Sequence, residues 1–169
     1  MTTFNPSKQV YSAVMEYILS NATLAKTFKP QNITRYDMPT HNRFPHKQSI
    51  APADLPELIV QMLGRTTNRQ STCGYIEIYN FQATITTDDW TLNQATIAHT
   101  LDEWLIASNN SIFWHNYQWQ GEYAFMKCEV LPMQMANQSA QNRNLSGWMY
   151  AVFFNIQVSR PQGVLADGN

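Results

Sequence analysis

Val10, Tyr11, Val14, Tyr17 and Ile18 recur at helical spacing and predict a first helix with one apolar face. Asn5-Pro6 starts it as a cap followed by proline at the first helical position, where the missing N–H costs nothing. The pattern weakens at Ser20-Asn21, so the helix ends between there and Thr27. Residues 28–56 have no sustained period and are punctuated by Pro30, Pro39, Pro45, Pro52 and Pro56. That density forbids a long helix or a central strand. Ile33, Tyr36, Met38, Phe44 and Ile50 make the segment an extended arm, packed on its own domain or on a neighbouring subunit.

Residues 57–63 (ELIVQML) read as a short strand, with a helical turn as the alternative, and residues 65–72 (RTTNRQST) as a polar loop. Residues 75–87 form a strand. Ile76 and Ile78 share one parity, and Phe81, Ala83 and Ile85 the other, which predicts a bulge or bend near Tyr79-Asn80. The second helix carries a capping box at Thr91-Leu92-Asn93-Gln94, acidic Asp88-Asp89 before it, and Trp90 as a staple. Its stripe is Leu92, Ala95, Ala98, Leu101, Trp104 and Leu105, and Asn109-Asn110 ends it.

The remainder reads as β. Residues 112–119 are aromatic and strand-like, and 120–122 form a turn. Residues 123–135 form a strand in which Pro132 marks an edge, bulge or break. Residues 136–147 form a polar loop. Trp148, Tyr150, Val152, Phe154, Ile156 and Val158 share one face of a strand whose other face is apolar for half its length, so it is central or covered. Residues 160–169 read as a tail. Strands segregated from helices give an α+β fold: an antiparallel or mixed sheet with a long C-terminal β-hairpin, packed by two main helices. The whole chain, 1–169, is one domain, with 1–4 and 160–169 as tails.

Composition narrows the function. Of 169 residues, 44% are hydrophobic and 12% aromatic, enough for a sizeable core. Only 14% are charged, against about 25% in ordinary soluble domains. The net charge of −1 disfavours non-specific nucleic-acid binding. No run reaches the length of a transmembrane helix, and the first residues lack the pattern of a signal peptide. Cys73 and Cys128 are too few for a disulfide framework and read as small buried thiols. The Asn-x-Ser/Thr triplets at Asn21, Asn32, Asn109, Asn137 and Asn144 read as chance in so amide-rich a chain.

No catalytic constellation emerges. The six glycines are scattered, which excludes phosphate-binding loops. His41 and His46, with Asp37 nearby, match no zinc spacing. His99 lies off the helical stripe, His115 reads as structural, and Asp88-Asp89 is explained by capping rather than glycosidic chemistry. Neither cysteine has a local partner that marks it as a nucleophile. The aromatic run 114–123 suits core or subunit packing better than stacking on sugars or bases, because Lys127 is its lone nearby cation.

The order of these elements resembles a known group. After the first helix comes Phe44-Pro45, then Ala51-Pro52-Ala53-Asp54-Leu55-Pro56. Strands at 57–63 and 75–87 follow, then the helix with Leu92, Ala98, Leu101, Trp104 and Leu105, and finally a tryptophan-bearing strand and a β-hairpin. Over roughly residues 5–160 this resembles the tail terminator (tail completion) proteins of long-tailed bacteriophages. The resemblance implies a hexameric ring that caps the tail tube, ends its polymerisation and joins tail to head. It implies no active site, cofactor or metal, and no membrane or specific nucleic-acid partner beyond a genome that would pass through the ring. The partners would be further copies of the chain, the tail tube protein and the neck or connector proteins. The place would be the tail or neck of a virion made in the host cytoplasm.

Low charge and abundant amides suit wide interfaces of this kind. Candidate contacts are Arg35, Arg43, Phe44 and His46 in the arm, Arg65 and Arg69 in the first polar loop, and Asn137, Gln141, Arg143 and Asn144 in the second. Simple solvation of these loops, and packing of the arm on its own domain, stand as the alternatives. Two other readings stay open: another neck or head-closure protein, and a small α+β enzyme or ligand-binding domain with an apolar pocket. An enzyme would show convergent polar groups in a pocket. A ring protein would show faces that are apolar only in the isolated monomer.

Overall fold

The computed structural model describes residues 6–28, 33–35, 56–71, 74–87, 92–120, 123–131, 134–137 and 148–161. Helix α1 (Pro6–Leu19) buries Val10, Tyr11, Val14, Tyr17 and Ile18, the face that the helical spacing predicts. The chain breaks at Ser20 and restarts as α2 (Ala22–Thr27), because the Asn21 side chain accepts from the N–H groups of Thr23 (3.0 Å) and Leu24 (3.1 Å). One predicted helix is therefore two, and the Asn-x-Ser/Thr triplet at Asn21 is an N-cap.

The sheet has six strands. They are β1 (Ile33–Arg35), β2 (Glu57–Ser71), β3 (Gly74–Thr87), β4 (Ala124–Val130), β5 (Gln134–Asn137) and β6 (Trp148–Pro161). The order is β1-β2-β3-β6-β4, with β5 pairing β6 beyond β4. Only β1 runs parallel to its neighbour, so the sheet is mixed and the fold is α+β. Helix α3 (Leu92–Ala107) leads through a 3-10 turn (Ser108–Asn110) to the short α4 (Phe113–Asn116).

One apolar cluster joins helices and sheet. Tyr11, Val14, Ile18, Ala98, Leu101 and Leu105 pack with Leu58, Val60, Phe81, Ile85, Val152, Phe154 and Ile156. Tyr11 donates to the Val60 carbonyl at 2.7 Å and its ring faces Phe81 at 6.3 Å, fixing α1 over the sheet centre. Tyr17 and Trp104 clamp α1 to α3 from both sides. The Tyr17 hydroxyl donates to the Trp104 carbonyl at 2.6 Å, and the Trp104 indole donates to the Tyr17 carbonyl at 2.9 Å. Their rings stack at 5.1 Å.

Four expectations change. Residues 65–72 are not a loop through 71: β2 continues to Ser71, laddered to β3 as far as Gly74. The bulge lies in β2 rather than β3. Met62 faces Phe81 and Gly64 faces Asn80, so Leu63 is the extra residue and is turned out, 48% exposed. The β3–β6 register is continuous, and Tyr79, Phe81, Ala83 and Ile85 keep one core-facing parity.

Residues 112–119 do not form a strand. Phe113 and Trp114 meet the Tyr17 ring at 5.4 Å and 5.1 Å, and Tyr117, one turn after Phe113, packs on Phe113 at 5.8 Å. Trp114 stacks on Phe125 at 4.5 Å, so this run packs the core. A helical turn places several rings on the same side, which a strand of period two cannot do. Finally, Arg160 and Pro161 belong to β6, not to a tail.

The expected break at Pro132 is visible in its flanks. Val130 faces Phe154 and Gln134 faces Ala151, so this side holds one extra residue. The second-helix cap (Asp88, Asp89, Trp90, Thr91), Cys73, residues 138–147 and most of the Pro-rich arm lie outside the described residues.

Strand β4 lies at the edge of the path, and its outward backbone at Cys128 is occupied. The Asn109 amide donates to the Cys128 carbonyl and its oxygen accepts from the Cys128 N–H, both at 2.8 Å. A side chain thus stands in for a neighbouring strand. Asn109→Ala is expected to cost about 2 kcal/mol, from two lost hydrogen bonds. Asn109→Asp is expected to cost more, because a carboxylate would face the carbonyl. Urea titrations with an unchanged slope would check both, and equal midpoints for the aspartate variant and the parent would refute the claim.

Candidate interaction surface

The sequence-predicted contacts do not gather into one site. Arg65 and Arg69 lie in the part of β2 beyond the bulge, opposite Tyr79 and Tyr75. Arg35 ends β1 opposite Val60. Asn137 ends β5 opposite Trp148, and Trp148 pairs with Thr87 at the other end of the sheet from Gly74. Arg43, Phe44, His46, Gln141, Arg143 and Asn144 lie outside the described residues, as do His41 and Asp37. The described candidates therefore spread over both ends and the β1 margin of the sheet.

Residues 65–68 of β2 form an exposed stretch of the sheet. Neighbouring side chains on a strand point to opposite faces, yet Arg65, Thr66, Thr67 and Asn68 are all exposed. Cover is missing on both faces there, and β1 spans only Leu58–Val60 of the outer edge. Backbone pairing to β3, not burial, holds these residues extended.

Beneath them lies a polar cluster that the motif search did not find. Glu77 is fully buried. Its Oε1 meets Arg160 Nε at 2.9 Å, and its Oε2 accepts from the Tyr79 hydroxyl at 2.7 Å. The Arg160 guanidinium lies over the Tyr75 ring at 4.9 Å. Burial, then the hydrogen bond to Glu77, pushes the Tyr79 phenol above its ordinary range, while Arg65 pulls more weakly the other way. The available signal was a lone carboxylate in the alternation Tyr75, Glu77, Tyr79, Phe81, with a cation, Arg160, at the end of β6.

The face of the sheet turned away from the helices is rich in amides. Gln157 donates to Asn155 (3.2 Å), Asn155 to Glu129 (3.4 Å), and Gln82 to Thr84 (3.0 Å). Ile76, Ile78 and Phe153 are half-buried on the same face. Among the described residues, this weakly charged surface carries no helix.

On the helical side, two shallow hollows adjoin at Glu16. One, about 450 Å³, is walled by Tyr11, Met15, Leu19 and Phe113; the other, about 410 Å³, by Phe113, Asn116, Tyr117 and Gln118. Glu16 is the one acidic residue among the described residues that line either hollow. Burial and then the nearby Glu16 charge raise the Tyr117 phenol above its usual range. The polar side chains of the first hollow are Ser12, Glu16 and Ser20 with the Tyr11 phenol, and those of the second are Glu16, Asn116, Tyr117 and Gln118. His99, Asp102 and Glu103 come within 4.8 Å of one another on α3, which helical spacing accounts for. Cys128 is buried, and burial pushes its thiol up to about 11 against a smaller pull from Ser108. His115 is exposed rather than built into the core.

The fold is thus a mixed sheet whose core is shared with the helices. No known family pattern and no curated protein sequence matches the chain. Its fold is similar to that of a chain from a solved structure described as the virion of a native gene transfer agent (GTA) particle. The identity is 12% and the TM-score 0.56, covering 89% of this chain and 95% of that one. The two chains thus share a fold over nearly their whole lengths. Among the described residues, no helix is long and apolar enough to cross a membrane.

Proposed function

We propose that this chain is a structural virion protein of a phage-like particle, and within that class a tail terminator. On this reading it forms a ring that caps the tail tube, ends tube growth and presents a surface to the neck. The observation that carries the broader reading is the likeness of fold, over almost the full length of both chains, to a component of a gene transfer agent virion. The terminator reading adds the order of elements and the Phe44-Pro45 and Asp54-Leu55-Pro56 motifs. Support also comes from the amide-rich open face, a surface with little charge to desolvate when copies meet. The role is non-enzymatic: recognition between subunits does the work.

Light scattering after gel filtration, with negative-stain images of each peak, tests the ring, and adding purified tail tubes tests the cap. A six-subunit annulus, or tubes with capped ends and arrested growth, is expected. A monomer that leaves tube ends bare and growing would refute the proposal.

A further inference from the structure

Among the described residues, five large apolar side chains are exposed, and they stand on opposite margins of the sheet. Leu63 is on β2, and Ile106, Ile112, Met126 and Leu131 surround β4. Both margins carry a bulge. Phe125 faces Val158 and Lys127 faces Gln157, so Met126 is an extra residue in β4, as Leu63 is in β2. Each of these two is 48% exposed. Bulges commonly guard a sheet edge against a stray strand, with the help of charge, proline or twist. Guarding alone does not need leucine or methionine turned to solvent.

The β4 margin gathers its four residues around one clasp. Asn109 holds both backbone groups of Cys128. Ile106 and Ile112 lie three residues to either side of Asn109, and Met126 and Leu131 lie two and three residues from Cys128. Ile112 is the most open of them, at 72%. On the order of 400 Å² of apolar side chain is exposed across the four, about half of one side of a standard interface. The surround is polar or small and close to neutral. Ala107, Asn109 and Asn110 are exposed, and Lys127 is matched by Glu129 at 3.7 Å. An apolar centre with a polar rim is the anatomy of a protein contact. The clasp occupies the outer backbone at Cys128, so a partner would meet side chains there and not extend the sheet.

We infer that Leu63 of one copy seats against the patch around Ile112 and Met126 of the next copy, head to tail. The inference rests on the ring reading above and names a contact between neighbours in the ring. The occupant is a second copy because the chain carries a projection on one margin and the patch on the other, so every copy can give and receive. Two different surfaces make the contact heterologous. Repeated, it closes into a ring when its rotation divides the circle, and runs on as a filament when it does not.

Two experiments test the contact on the full chain, assembled in solution or on tail tubes. The first combines Leu63→Cys and Met126→Cys in a Cys73→Ser background and oxidises the assembly; Cys128 is buried. Within one copy, β2 and β4 are three strand spacings apart, about 14 Å, too far for a disulfide. A ladder of linked species is therefore expected on a non-reducing gel, with each single-cysteine variant giving none. Linked dimers from a single-cysteine variant would mean that like margins meet, and would overturn the head-to-tail contact. The second experiment uses Leu63→Asp and Ile112→Asp, both at exposed sites. Each is expected to weaken assembly about tenfold or more, because a carboxylate would enter an apolar contact. Leu63→Asp combined with Ile112→Lys should restore it. Thermal unfolding confirms that each variant is folded. Folded variants that assemble like the parent, with no ladder from the cysteine pair, would overturn the docking while leaving the ring reading intact. Aspartate variants that form rings but no longer cap tubes would assign the patch to the tube, and would overturn the docking between copies. A parent chain that makes no ring and caps no tube would overturn the ring reading and the docking with it.

Discussion

Glu77→Ala is expected to destabilise the fold by about 3–5 kcal/mol, among the largest effects of any single substitution outside the aromatic core. The carboxylate is fully buried and serves two partners, Arg160 and the Tyr79 hydroxyl. Its loss leaves a guanidinium beneath the sheet with no counter-charge and a buried phenol without its acceptor. Arg160 retains some contact with solvent, 16% of its side chain, so the cost falls toward the lower end. Removing both charges with Glu77→Leu and Arg160→Met is expected to recover much of the loss, because a buried pair is often no more stabilising than a well-packed apolar one. Guanidinium denaturation of the parent, single and double variants measures this. A double variant as unstable as the single one would show that packing, not unpaired charge, sets the cost.

Tyr17→Ala is expected to cost a similar 3–5 kcal/mol, by a different route. Tyr17 is fully buried and its ring meets those of Trp104, Phe113 and Trp114. Truncation opens a cavity at the junction of α1, α3 and α4. Tyr17→Phe separates the contributions: it keeps the ring contacts and removes the 2.6 Å bond to the Trp104 carbonyl, for about 1 kcal/mol. Near-ultraviolet circular dichroism should report the loosened tryptophans in the alanine variant. If the phenylalanine variant loses as much as the alanine one, the hydrogen bond rather than the ring cluster holds the helices together.

The sequence disclosed elements whose burial is one-sided. Val10, Tyr11, Val14, Tyr17 and Ile18 in α1 show their period because the opposite face is open, and Tyr150 to Val158 in β6 because fully buried positions alternate with mostly half-buried ones. The outer half of β2 was illegible for the opposite reason. Residues 65–68 are wet on both faces, so no alternation marks them, and only their ladder to β3 makes them a strand. The run 112–119 misled because aromatic residues favour strands in general, while here Tyr117 follows Phe113 and Trp114 by about one helical turn and that spacing governs. The apparent phase change in β3 came from reading Ile76 and Ile78 as core. They are half-buried on the other face, and the true irregularity is Leu63 in the neighbouring strand. Of the candidate interface residues, Arg65 is exposed and lies on a strand rather than in a loop. The Glu16 groove was invisible in sequence, because it forms where α1 meets α4, two segments about a hundred residues apart, a separation within which loop closure leaves no local signature.

Strand β6 is the last strand of the sheet to be made, yet it sits between β3 and β4. Gly74 must wait for Pro161, and Thr87 for Trp148. At about 5–20 residues per second, the ribosome leaves a finished β3 without its inner neighbour for several seconds. During that interval Tyr79, Phe81 and Ile85 line a half-built sheet with an open, apolar margin. A chain cut short before residue 148 would lack β6, the strand that joins β3 to β4 and β5, and would leave that apolar margin open to aggregation.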